Sequence, residues 1–392
     1  MDKIAFVCQR YGAEVNGGAE AECRAYAERL VPYYDVEVIT TCALDYTTWK
    51  NHYPAGVETL NSVTVRRFGV TEERVPARFD RLSARIAGNR HRSRGEEQEW
   101  LRAQGPVAPG ALDFLRVHAG EYKVVYFMTY LYYLTAIGLP DFPGRAVLIP
   151  TAHDEWPIYF DCYRDVFAAA RGYVYNSEAE RRFVDRHFIE TSGKPYITIG
   201  AGVETPTVSL PDVRERFGLT GDYIVYAGRI DESKGCGELF ESFASYKERL
   251  GGTLKLVLLG KAVMPIPERP DILPLGFVSE EEKFAVLQGA KALVLASHFE
   301  SRSIVVRESM LMGRPVLVNG DCEVLHDHAV QSGAGLYFRS SAEFTGALHW
   351  LLSHEREYAL MCENGRKYVA RHYRWEHITE KLRALTEIVG NA

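Results

Sequence analysis

Short apolar runs alternate along this chain with longer stretches in which apolar residues return every three or four positions. The runs at 4–8, 36–40, 124–128 and 146–150 are rich in Val, Ile and aromatic residues and carry almost no charge. That is the pattern of strands buried on both faces. Similar runs predict strands near 63–68, 173–175 and 196–199, then 223–227, 255–259, 272–275, 292–296 and 315–318. Helical patterns lie between several of them, including an amphipathic stretch that ends at Leu30. Strand and helix in alternation predict βαβ units and parallel sheets. A cluster of glycine and proline, Gly200-Ala-Gly-Val-Glu-Thr-Pro206 and on past Pro211, reads as a linker between two α/β halves.

Composition narrows the class without changing this picture. The 392 residues are 46% hydrophobic and 25% charged, as in an ordinary globular protein of two or three domains. A formal net charge of −6 argues against a broad basic surface for nucleic acid. Seven cysteines, an odd number without Cys-x-x-Cys spacing, predict reduced thiols and a cytoplasmic setting rather than a disulfide framework. The chain opens directly into a strand pattern, so no signal peptide is expected. The uncharged run at 124–140 is short for a membrane span.

The chemistry concentrates at the ends of the apolar runs. After the run at 292–296 comes Glu300-Ser-Arg-Ser-Ile-Val-Val-Arg-Glu308, then a helical pattern that stops at Gly313. This order places Glu300 in a loop at the carboxyl end of a strand and Glu308 on the next helix. That helix should begin near Ser303, where its free N–H groups make an anion site. After the run at 223–227 come Gly228-Arg229 and Lys234-Gly235. The Arg fork and the Lys point charge both suit phosphate oxygens. Near the amino terminus, Asn16-Gly17-Gly18-Ala19-Glu20 follows the first strand, and paired glycines admit close approach of a phosphate or sugar. The loop is not G-x-G-x-x-G, and the strand at 36–40 ends without an acidic ribose ligand, so a dinucleotide fold is disfavoured. His153 and Asp154 follow the run at 146–150, and Asn176-Ser177 follow the run at 173–175.

With these motifs the chain resembles retaining glycosyltransferases of the GT-B fold, specifically glycosyltransferase family 4 (glycosyl transferases group 1). The resemblance implies two Rossmann-like parallel-sheet domains facing across a cleft. They would comprise an acceptor-side domain of residues 1–203, joined by a C-terminal helix at 373–392, and a nucleotide-sugar-binding domain of residues 204–372. It implies catalytic roles for His153, Arg229, Lys234 and Glu300. It implies donor contacts from Gly17, Gly18, Gly228, Arg229, Lys234, Phe277, Val278, Glu300, Ser303, Ile304, Val305 and Glu308. Within that set Arg229 and Lys234 would hold the diphosphate, Glu300 the sugar hydroxyls and Glu308 the ribose. No Asp-x-Asp pair is present to anchor a divalent ion, so a metal-independent reaction is expected, with no cofactor beyond the nucleoside-diphosphate sugar.

Departures from the family accompany these matches. Ser301-Arg302-Ser303 replaces the usual Gly-Phe-Gly, and Ala201-Gly-Val-Glu204 replaces Asn-Gly-Val-Asp. Cys322, His326, Asp327 and His328 cluster suggestively, but a loop is expected there rather than a zinc site. Residues 72–105, rich in Arg and Glu, read as a solvated helical excursion or an acceptor-side lid. Asp45, Tyr46, Trp49 and the tyrosines at 130–133 offer faces on which a sugar acceptor could stack. The expected function is retaining transfer of a sugar to a hydroxyl acceptor, by front-face attack, in a cytoplasmic protein that could also sit at the inner membrane face. A GT-B sugar phosphorylase, a nucleotide-sugar epimerase and a non-catalytic sugar-binding protein are the alternatives. No motif here encodes the base, the sugar, the acceptor or the oligomeric state.

Overall fold

The structure is a computed structural model that describes residues 1–391 apart from Asn16, Arg90, Ala201, Val208, Ser301 and Arg302. Asn16 of the glycine loop, Ala201 of the linker, and Ser301 and Arg302 between the two glutamates therefore lie outside the described residues. The chain divides into two compact units, one of Met1–Ala201 with Glu376–Ala392 and one of Gly202–Trp375.

The first unit is built on an eight-stranded sheet. Its strands are β1 (Lys3–Val7), β2 (Asp35–Thr41), β3 (Gly56–Leu60), β4 (Val63–Phe68), β5 (Val124–Met128), β6 (Ala146–Ile149), β7 (Gly172–Tyr175) and β8 (Tyr196–Thr198). Their order is β3-β4-β2-β1-β5-β6-β7-β8. Every pairing is parallel except β3 with β4. β1 pairs Ile4 with Val36 on one side and with Val124 on the other. All five residues of β5 are buried, which is why its sequence shows no polar alternation. β3 went unrecognised in the sequence because its residues are largely exposed and form no apolar run. It is held as an edge by a tight hairpin whose turn residues, Asn61 and Ser62, both have positive φ.

The segment at 72–105 is neither a solvated excursion nor a lid, and that expectation is corrected. It forms the helices Pro76–Ala87 and Arg94–Gln104. Leu82, Ile86, Trp100 and Leu101 from these helices lie in the main hydrophobic core of the unit. Trp100 sets its ring edge-on against Trp156 and Phe160. Four apolar residues at helical spacing anchor the pair, while Arg85 and Glu99 meet at 3.1 Å on the exposed side. The last helix of the chain, Trp375–Gly390, buries Ile378, Leu382, Leu385 and Val389. The Tyr126 and Thr386 hydroxyls hydrogen-bond at 2.7 Å, tying this helix to β5.

The second unit carries a parallel six-stranded sheet of β9 (Tyr223–Ala227), β10 (Lys255–Leu259), β11 (Ile272–Gly276), β12 (Leu293–Leu295), β13 (Val316–Asn319) and β14 (Gly335–Phe338). The order is β11-β10-β9-β12-β13-β14. Successive connections run outward in one direction from β9 and in the other from β12. The loops after β9 and β12 therefore part to opposite sides and leave a crevice at the carboxyl ends of these two strands. β14, four residues at the sheet edge, is too short and too exposed to stand out in the sequence. Among the described residues, no helix is long and apolar enough to cross a membrane.

Candidate functional site

The site of the second unit is assembled from the loops after β9 and β12. β9 ends at Ala227, and the chain turns at Gly228 with φ 156°. The Tyr226 hydroxyl donates to the Arg229 carbonyl at 2.7 Å and braces that turn. The Arg229 guanidinium is 56% exposed and pairs with Asp231. Asp231 also accepts from the Ser233 hydroxyl at 2.6 Å and from the Lys234 amide at 3.0 Å. Loss of water pushes the Asp231 carboxyl up, but the Ser233 hydroxyl and the Arg229 charge outweigh it and hold it below the usual range.

Gly235 is what lets the two loops meet. It has φ 67° and opens the helix Cys236–Leu250. A Cβ at this position would stand 2.2 Å from the carbonyl oxygen of Ala296, in the loop after β12. Only glycine permits both the left-handed conformation and the close approach. The contact brings Lys234 to Glu300, and Lys234 Nζ donates to Glu300 Oε1 at 2.8 Å across 66 residues of sequence.

Ser303 follows and opens the helix Ile304–Leu311. A cavity of about 260 Å³ brings together Gly228, Lys234, Glu300, Ser303, Ile304 and Val305. Tyr226, Ala227, Leu295 and Ser297 complete its wall and were not anticipated. The rule that open α/β sheets bind ligands beyond their strand ends was the signal that could have found them.

Four other expected residues of this unit are not in the cavity wall. Arg229 lies one residue beyond it. Glu308 is 7% exposed on the helix, and its Oε1 accepts from Lys283 Nζ at 2.8 Å. Lys283 also contacts Glu280 at 2.8 Å and was missed in the sequence. Burial pushes the Glu308 carboxyl above the usual range, and Lys283 only partly offsets it. Phe277, 90% exposed, and the half-buried Val278 follow β11.

The remaining expected residues lie in the first unit. Gly17 precedes the helix Gly18–Leu30. A Cβ on Gly17 would stand 2.2 Å from Glu20 Oε2 and 2.9 Å from Arg10 Nη2. Glu20 Oε1 receives Arg10 Nη2 at 2.6 Å and Gln9 Nε2 at 3.0 Å, so a buried ion pair stiffens the glycine loop. His153 follows β6, half-exposed, with Nε2 3.7 Å from Glu155 Oε2. Its loop is pinned by buried Glu180, which accepts from the Ala152 amide and the Asn176 amide, each at 2.6 Å.

Ser177, after β7, caps the helix Glu178–His187 by accepting from the Glu180 amide at 3.1 Å. Two expectations are corrected. Trp49 is fully buried against Ala43, Val70 and Tyr132, and its Nε1 donates to the Gln104 carbonyl at 2.6 Å. It is a core residue and offers no face to a sugar. In the cysteine–histidine stretch, which is a helix (Glu323–Ser332) rather than a loop, His326 packs on Tyr337 and His328 lies beside Tyr368. Among the described residues, no three His, Cys, Asp or Glu side chains are grouped to hold a metal ion.

Comparison with known proteins bears on the second unit and on the fold. Residues 221–354 match the family described as Glycosyl transferases group 1. An alpha-D-kanosaminyltransferase of Streptomyces kanamyceticus is 28% identical over 196 residues, 46% of this chain and 49% of that protein. The match thus spans about half the length of that relative. The alpha,alpha-trehalose-phosphate synthase (UDP-forming) of Burkholderia vietnamiensis is 13% identical and covers 100% of each chain with a TM-score of 0.72. Anabaena HepE in complex with UDP and glucose is 17% identical and covers 98% of this chain and 99% of its own with a TM-score of 0.65. The chain has the GT-B fold of these glycosyltransferases, and its residues 221–354 are similar to the glycosyl transferases group 1 family.

Proposed function

We propose that this protein transfers a sugar from a nucleoside-diphosphate sugar to a hydroxyl acceptor, with retention at the anomeric carbon and without a divalent metal ion or resident cofactor. The observation that carries this reading is the Lys234–Glu300 pair, at 2.8 Å, in the wall of a cavity that also holds the start of the helix Ile304–Leu311. A diphosphate entering the cavity would draw Lys234 to itself, because two phosphate groups outcompete one carboxylate for the ammonium. Glu300 would then be released to accept hydroxyls of the sugar. Arg229 is exposed enough to swing from Asp231 onto the same phosphates, and the helix start supplies further N–H donors. Glu308, held by Lys283, would accept from the ribose hydroxyls, with Phe277 and Val278 beside the base. His153, Gly17 and Gly18 would serve the sugar and the acceptor.

These cations would stabilise the charge that develops on the leaving diphosphate. The diphosphate itself would take the acceptor's proton, giving attack from the same face and retention. HepE, solved in complex with UDP and glucose, and a UDP-forming synthase share this fold, which makes UDP-sugars the first donors to try. Thermal-shift screening against UDP-, GDP-, dTDP- and ADP-sugars should find one that stabilises the protein by mass action. With that donor, Arg229→Ala and Lys234→Ala should each lower transfer by about 10²–10³ while the protein stays folded. Near-wild-type kcat/KM in both variants would falsify the diphosphate clamp. Activity should survive EDTA; its loss, with rescue by Mg²⁺ or Mn²⁺, would overturn the metal-free reading. The anomeric configuration of the product, read from its proton coupling constants, decides between retention and inversion.

A further inference from the structure

The loop that carries Glu300 is fastened residue by residue as it leaves β12. The Ala296 carbonyl accepts from Asn319 Nδ2 at 3.1 Å, and the Ser297 hydroxyl reaches the Lys234 carbonyl at 3.4 Å. His298 follows, with its side chain 40% exposed. Its Nε2 lies 2.9 and 3.1 Å from the two carboxylate oxygens of Glu238, on the helix Cys236–Leu250. Its Nδ1 lies 3.3 Å from Asn319 Nδ2. Phe299 is then 63% exposed, and Glu300 comes next. The orientation of Asn319 fixes the imidazole. Asn319 ends β13, 3% exposed, and its Oδ1 accepts from the Asp321 amide at 2.9 Å while its Nδ2 faces the Ala296 carbonyl. Nδ2 therefore presents a hydrogen to His298, and Nδ1 is the bare acceptor. The ring proton then sits on Nε2, where the Glu238 carboxylate accepts it.

We propose that His298 is the positioning residue for Glu300, and that it pins the loop only as the neutral tautomer with its proton on Nε2. A second proton has to enter at Nδ1, where it meets the amide hydrogen of Asn319. The contact to β13 then opens, and only the one to Glu238 remains. The other charges around the ring offer Nδ1 no substitute acceptor. Glu238 is engaged on the Nε2 side, Glu300 is held by Lys234 at 2.8 Å, and Asp321 by Arg339 at 3.0 Å. Burial pushes the Cys322 thiol up, so it brings no negative charge. The inference rests on the reading of this cavity as a nucleotide-sugar site in which Glu300 accepts sugar hydroxyls. A loop freed from β13 lets Glu300 drift while Arg229 and Lys234 still hold the diphosphate. Transfer then slows, and nucleotide affinity does not change.

The experiment compares His298→Ala, His298→Asn and His298→Gln with the unaltered protein. It measures kcat over a pH series with the donor found by thermal shift, calorimetry with the matching nucleoside diphosphate, and nitrogen NMR of the histidine rings. His298→Ala should lower kcat by about tenfold to a hundredfold, the scale of a misplaced reacting group, with nucleotide affinity unchanged. His298→Asn puts an acceptor where Nδ1 stood and should restore most of the rate. His298→Gln reaches only Glu238 and should not. On acidification the unaltered protein should lose activity as the ring takes its second proton, and in His298→Asn that loss should move to lower pH. NMR should show the His298 proton on Nε2 and a bare Nδ1 at neutral pH. A proton on Nδ1 instead, or an unaffected kcat in His298→Ala, would overturn the proposal while the transferase reading stands. Equal losses of kcat and nucleotide affinity would overturn it too, since His298 would then serve only folding, as would an acid limb unmoved in His298→Asn. If the unaltered protein turns over no nucleotide sugar, the transferase reading falls and the role of His298 in transfer falls with it.

Discussion

At the scale of single residues, two buried side chains define what can be measured. Glu308 lies almost out of reach of water with Lys283 at 2.8 Å, and Glu280 and Arg307 are the other charges acting on it. Burial raises its pKa above the ordinary glutamate value. In the ribose role proposed for Glu308 only the ionised form is a full acceptor for two hydroxyls, so under that proposal nucleoside-diphosphate affinity should rise with pH through that raised pKa. Glu308→Gln should bind about tenfold more weakly and lose this rise, as calorimetry over a pH series would read. Lys283→Met removes the cation that favours the carboxylate and should move the rise to higher pH; an unmoved profile would show that Lys283 does not hold Glu308. Trp49 is the second case. With its ring fully buried and its Nε1 bonded to Gln104, Trp49→Ala should lower stability by about 3–5 kcal/mol in chemical unfolding. A stable variant with only a raised acceptor KM would instead return Trp49 to the acceptor site. The sequence could not distinguish these roles, because a tryptophan beside Asp45 and Tyr46 reads the same whether it faces water or Gln104.

At the scale of elements, the glycine at the entrance to the helix Cys236–Leu250 has a consequence larger than its size. Gly235→Ala would hold an L-residue at φ 67°, which alone costs about 1–2 kcal/mol, and would drive a methyl group into the Ala296 carbonyl. The loops after β9 and β12 must then separate, and Lys234 should lose Glu300. The expected outcome is a lower Tm together with weaker nucleotide binding. Most of these elements were legible beforehand. Strands buried on both faces, such as β5 and β9, announce themselves as uninterrupted apolar runs. β3 and β14 did not, because an edge strand draws its order from the neighbour it pairs with rather than from its own residues. The helices at 76–104 were misjudged for a related reason. Their charged faces dominate the composition, while four well-spaced apolar residues decide where they pack.

At the scale of the molecule, the chain leaves the first unit near residue 201 and returns to it at Glu376. The returning helix buries Ile378, Leu382, Leu385 and Val389, and each such side chain contributes ~1.5–3 kcal/mol. Four together rival the ~5–15 kcal/mol net stability of a typical domain. A chain stopped after Trp375 should therefore fail to fold its first unit, seen as lost near-ultraviolet dichroism and early proteolysis within residues 1–200. Native-like protection there would contradict the ledger of that helix. The sequence by itself determined the alternation of strand and helix, the parallel class of the sheets and the position of Gly17, His153, Arg229, Lys234 and Glu300 at strand ends, since periodicity and apolar runs act over a few residues. Only the tertiary structure decided that Lys234 meets Glu300, that Lys283 holds Glu308 and that Trp49 is core. Those facts depend on which strands lie side by side and on how closely two loops approach at one glycine, and strand order is a property of the folded sheet that no local pattern carries.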